Sequence, residues 1–177
     1  MGKVLDMQRP TKEEHDPYFR PYVDSVQGED VLHTLEGQIE EAERRFGGLD
    51  ETRAMHRYAP GKWSVKDVLL HVTDADRIFA TRVLRLARGE TLEQPGFDHD
   101  RFVQMADADQ RSIAEITEEF VQVRRANLLL YRSLPEKTHA VAGLANGLRV
   151  TVRMFPWLCA GHVQHHFGVL TDRYEVQ

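Results

Sequence analysis

Apolar residues recur along this chain at alternating spacings of three and four, the signature of amphipathic helices. Four long segments carry the pattern. The first is predicted from about Gly28 to Phe46, with Leu32, Leu35, Ile39, Ala42 and Phe46 as its stripe, a Glu-rich opposite face, and Gly47-Gly48 as its end. The second is predicted from Val65 to Arg88, with Val68, Val72, Ala75, Phe79 and Leu86 facing inward and Gly89 as its stop. Ser64 is placed to cap it, with Asp67 three residues on as a shortened capping box. The third runs from about Asp109 to Leu134 on Ile113, Ile116, Phe120, Val123, Leu130 and Leu134. Asn127 interrupts that stripe, where it sets register or serves a site, and Pro135 closes the helix. The fourth spans Thr151 to Tyr174. Pro156 falls about a turn inside it, so a distortion is expected near Phe155.

The intervening stretches read as connections. Residues 1–27 are polar, contain Pro10, Pro17 and Pro21, and form an arm of which Tyr18, Phe19 and Tyr22 dock a part. Residues 49–63 form a loop turning at Pro60-Gly61. Residues 89–108 make a long connection in which Asp98-His99-Asp100 is either a turn with an N-cap, the commoner use of such residues, or a metal-binding segment. The 97–102 loop has no assigned role. Asn146-Gly147 between apolar residues predicts a small hairpin. Together these features predict an all-α four-helix bundle over residues 28–177 as one domain, preceded by the arm.

Composition narrows the function. With 41% hydrophobic and 29% charged residues in 177, the chain can bury a sizeable core and is globular in type. A net charge of −5 and the lack of a basic stripe exclude a nucleic-acid partner from expectation. The single cysteine, Cys159, allows no internal disulfide and sits among apolar neighbours as a packing residue. No apolar run approaches the roughly 20 residues of a membrane span. Asp6 stands where an N-terminal acylation signal needs Ser or Thr, and no apolar leader segment follows. A cytoplasmic protein without a membrane partner is therefore expected.

The chemistry concentrates in Gly161-His162-Val163-Gln164-His165-His166. On a helix His162 and His166 lie one turn apart on the face shared by Phe155, Leu158 and Val169, so they point into the core. Two such imidazoles either ligate one metal ion or hydrogen-bond to carbonyls and water. His71 lies at the edge of the apolar face of the second helix, with Asp67 and Asp74 at i−4 and i+3 as candidate partners for its other ring nitrogen. Bundles build metal sites from inward side chains on facing helices. Three neutral imidazoles leave an ion its full charge and an open coordination position, the mark of a catalytic site. His165 lies about 60° around the helix from His162, away from His166. Its place is a supporting hydrogen bond, the cavity or solvent. Ser64, Ser112 and Ser133 have no nucleophile elbow around them.

Trp63-Ser64 followed by His71, and the later Gly161-His162…His165-His166, resemble the paired motifs of the DinB/YfiT-like superfamily, in order and separation, over about Gly28 to Tyr174. The resemblance implies a four-helix bundle in a mirror variant of the up-and-down arrangement, and one divalent metal held by His71, His162 and His166. Imidazole ligands suit zinc, with nickel next. It also implies a homodimer acting on a small-molecule substrate. Within the family some members are thiol S-transferases using bacillithiol or mycothiol, and others are labelled metal-dependent hydrolases. Three functions follow as expectations. One is transfer of a low-molecular-weight thiol to an electrophile. The second is hydrolysis of an amide or ester, with Asp74 or His165 assisting as base. The third is a stress protein that binds a metal or ligand without turnover.

Overall fold

The structure is a computed structural model, described over residues 7–177. Asp6 and the residues before it, on which the acylation reading rests, lie outside the described residues. The helices are α1 (Arg20–Val23), α2 (Val31–Phe46), α3 (Glu51–Ala54), α4 (Val65–Ala87), α5 (His99–Ala106), α6 (Ile113–Arg132) and α7 (Met154–Tyr174). Strands β1 (Ala142–Ala145) and β2 (Leu148–Thr151) make one antiparallel hairpin. The long helices form a four-membered ring, in which α6 and α7 each pack against both α2 and α4. No helix among the described residues is long and apolar enough to cross a membrane.

Local chemistry explains the boundaries. Ser64 Oγ accepts from Asp67 N and the Asp67 carboxylate accepts from Ser64 N, so the capping box that starts α4 is present. A second such box, Ser112 with Glu115, starts α6 four residues later than the apolar spacing suggests. Asp98 caps α5 by accepting from Arg101 N, so Asp98-His99-Asp100 is a helix start. The hairpin turns at Asn146 and Gly147, both with positive φ (53° and 73°), as a tight two-residue turn requires. The expected distortion near Phe155 is not found. The fourth helix begins at Met154, not Thr151, and Pro156 sits in its first turn, where a backbone N–H has no helical acceptor to lose. Thr151 belongs to β2 instead.

One stripe departs from the predicted one. In α6 Val123 and Leu130 are half-exposed, and Arg124 and Tyr131 are buried in their place. Arg124 donates from Nε to Asp76 of α4 (2.7 Å) and from Nη1 to Gln38 of α2 (2.9 Å). Asn127 donates to the Asp76 carbonyl and Gln38 to the Ala160 carbonyl of α7, so one polar network ties all four helices. The arm is also more integrated than its polarity suggests. Met7, Phe19, Val23 and Val26 enter the core, Trp157 Nε1 donates to the Met7 carbonyl, and Arg9 lies 4.0 Å from the Trp157 ring centre. α1 crosses α7 at Gly161, where a Cβ would stand 2.0 Å from the Tyr22 carbonyl oxygen. Only glycine admits that approach.

Candidate metal centre

His71 lies two turns into α4, and His162 and His166 occupy consecutive turns of α7. Because α4 and α7 are neighbours in the ring, the three imidazoles meet. Nε2 of His162 is 3.2 Å from Nε2 of His71 and 3.2 Å from Nε2 of His166. All three ligand atoms lie within 4.8 Å of one another. Three nitrogens bonded to one zinc-sized ion at about 2.0–2.1 Å in near-tetrahedral geometry stand about 3.3 Å apart. A purely hydrogen-bonded trio fits less well. The Nε2 of a neutral imidazole has one lone pair to offer, and two neighbours share that of His162. The donor set therefore fits a divalent cation.

Aromatic rings fix the imidazoles. Trp63 is tilted over His71 at 4.8 Å and stacked near His166 at 6.4 Å. Phe79 and Tyr22 meet His162 edge-on at 6.0 and 5.7 Å. Burial, then the neighbouring imidazoles, pushes His71 down to about 4 and His166 down to about 3, and holds His162 well below the ordinary histidine value. The rings are thus neutral at physiological pH, the form a metal needs.

The expected carboxylate partners of His71 are engaged elsewhere. Asp67 accepts from Ser64 N and Arg57, and Asp74 pairs with Arg77 on the flank of α4. Asp74 is not among the residues lining the cavity beside the histidines, so the structure does not bring it to the site as a base. His162 Nδ1 is buried with no hydrogen-bond partner among the described residues.

A cavity of about 500 Å³ opens from the histidines. The arm contributes Tyr18, Phe19 and Tyr22, α4 contributes Ala75, Phe79 and Arg82, and the hairpin contributes Ala145, Asn146 and Leu148. No Asp or Glu lines it among the described residues. His165 is exposed at the cavity rim, 5.7 Å edge-on from Tyr22 and 5.1 Å from the His166 ring. His99, without a role by sequence, begins α5 with its ring 5.9 Å from His71. Arg82 is the other residue that sequence reading missed. Its signal is present, because it occupies the stripe position between Phe79 and Leu86 where an apolar residue is due. Cys159 is buried, beside Tyr131 and Asp76. Burial and the Asp76 charge push its thiol up, so it is no nucleophile.

A family model described as the DinB superfamily matches residues 34–170. Among solved structures, the chain is similar to YfiT from Bacillus subtilis, described as a probable metal-dependent hydrolase with an unusual four-helix bundle topology. The two share 16% identity over 86% of this chain and 90% of that one, with a TM-score of 0.72. No curated protein matches.

Proposed function

The chain belongs to the DinB superfamily, and on that footing we propose that it is a metal-dependent enzyme joining a low-molecular-weight thiol, of the bacillithiol or mycothiol kind, to an electrophilic small molecule. The observation that carries this reading is the convergence of three imidazole Nε2 atoms on a cavity wall that holds no carboxylate among its described residues. His71, His162 and His166 would hold one divalent ion, zinc first and nickel next. Such an ion supplies the charge that keeps a thiol deprotonated near neutral pH and polarises an electrophile. Hydrolysis of an amide or ester asks more of the protein, since water attack wants a positioned base.

The chain's own residues do the rest. Trp63 and Phe79 hold the imidazoles and keep water from the inner wall. His165 at the rim takes the proton that the thiol releases and returns it to the departing group, while sulfur bonds the electrophilic carbon and the leaving group takes the electron pair. The second reading, a hydrolase with His165 as base, draws on the likeness to YfiT. Asp74 has no part in either.

The test incubates zinc-loaded protein with a thiol panel plus a chromogenic electrophile, and separately with esters and amides. Thiol-dependent turnover that disappears in His162→Ala is expected. Turnover of esters or amides alone selects the hydrolase. Silence in both arms leaves a metal- or ligand-binding stress protein and removes the enzyme. The proposal includes a cytoplasmic homodimer, and a monomeric mass by light scattering across micromolar concentrations would remove the dimer.

A further inference from the structure

A cation faces the same cavity from farther along α4. Arg82 stands eleven residues after His71, close to three full turns, so both project from one face of the helix. The rise between them is about 16 Å along the axis. Arg82 is only 7% exposed. Its Nη2 donates to the Pro95 carbonyl at 2.7 Å, and burial alone lowers its pKa, with no charged group contributing. A guanidinium carries five N–H donors, and this one has a single carbonyl acceptor and no ion pair among the described residues. Its remaining N–H groups have no protein acceptor among the described residues and open onto the cavity, so they are placed to receive an anionic group of a ligand.

The rest of the wall defines that ligand. Between the histidines and Arg82 the cavity is apolar, lined by Ala75, Phe79, Phe97 and Leu158. Gly96, next in the chain to the Pro95 whose carbonyl Arg82 reaches, lies against the side chain of Asn146 on the same lining. Arg82 is the only Lys or Arg on the lining among the described residues. One planar, two-pronged cation matches the two oxygens of one carboxylate. We propose that Arg82 anchors the carboxylate of an elongated substrate, whose apolar body lies along Phe79 and Phe97 and whose reactive group reaches the three histidines. The position of the reactive end rests on the metal-enzyme reading. The carboxylate anchor rests on Arg82 and the cavity alone.

The probes are decanoate and its uncharged counterpart methyl decanoate, titrated calorimetrically into chelated and into zinc-loaded protein. In the chelated wild type decanoate should bind at least tenfold tighter than the ester. Arg82→Gln should bring the two within about twofold, and Arg82→Lys should keep part of the preference. The chelated wild type carries no ion, which separates this proposal from the metal reading: a preference seen there rests on the anchor alone. Equal binding of both probes by the chelated wild type, which needs no variant to fold, overturns the proposal. So does a preference that survives in folded Arg82→Gln, or one that arises only with zinc, since the carboxylate would then be held elsewhere.

Discussion

Replacing Arg124 with Met should destabilise the protein by about 3–5 kcal/mol, the range for removing one partner of a buried ion pair. The structure places this pair at that range rather than at the near-zero value of surface pairs. Both side chains are 1% exposed, and Nε and Oδ2 are 2.7 Å apart. Methionine leaves Asp76 as a carboxylate inside the bundle. Its pKa is already raised by burial and held back mainly by Arg124, so the variant should fold with Asp76 protonated. The unfolded chain ionises Asp near 3.9. Above that pH the folded variant therefore binds more protons than the unfolded chain, and its stability falls as pH rises. Urea unfolding of chelated protein, wild type beside variant, should show the full deficit at pH 7 and a smaller one near pH 4.5. The apolar pair Asp76→Leu with Arg124→Met should recover at least half of the loss, because no charge is then stranded. Gln38 loses its acceptor role toward Arg124 in both variants, which limits the recovery. A single-variant cost below about 1 kcal/mol, or a double-variant cost equal to the sum of the two singles, would refute the reasoning.

Alanine at His71, His162 or His166 should weaken zinc binding by more than the 10–100-fold typical of outer partners, while His165→Ala and His99→Ala stay within about tenfold. Competition with a chromophoric chelator decides this, and equal loss in His165→Ala and His162→Ala would contradict the geometry. Gly161→Ala should push α1 from α7 at a cost of about 1–3 kcal/mol and speed proteolysis in the arm, since the new methyl meets the Tyr22 backbone; an unchanged melting curve and digestion pattern would count against that contact. Metal-free protein should lose stability as pH falls from about 6.5 toward 4, because the unfolded histidines take up protons while folded His71, at about 4, does not. From His71 alone the loss is on the order of 3 kcal/mol, and flat stability across that window by chemical unfolding would be the contrary result.

The four helices, the Ser64 cap, the Asn146-Gly147 turn and the three converging histidines were all legible from the chain, because each depends on neighbours within a few residues or on a face repeated every turn. Periodicity assigns a side chain to a face, so His162 and His166 could be paired and directed inward before any fold was known. The same rule misassigned α6, where it excludes a charge from the buried stripe. Arg124 is buried only because Asp76 and Gln38, on two other helices, meet it there. Periodicity passes over Arg82 for the same reason, and it places Asp74 near His71 in sequence without showing the ion pair with Arg77 on the helix flank. Docking of Phe19 is legible in the arm, but the chain could not show that Met7, Val23 and Val26 join it in the core or that Gly161 is the point of closest approach. Local spacing determines where a side chain points along its own element, while the environment it meets, and hence whether a charge or a glycine belongs there, is set by contacts between segments far apart in sequence.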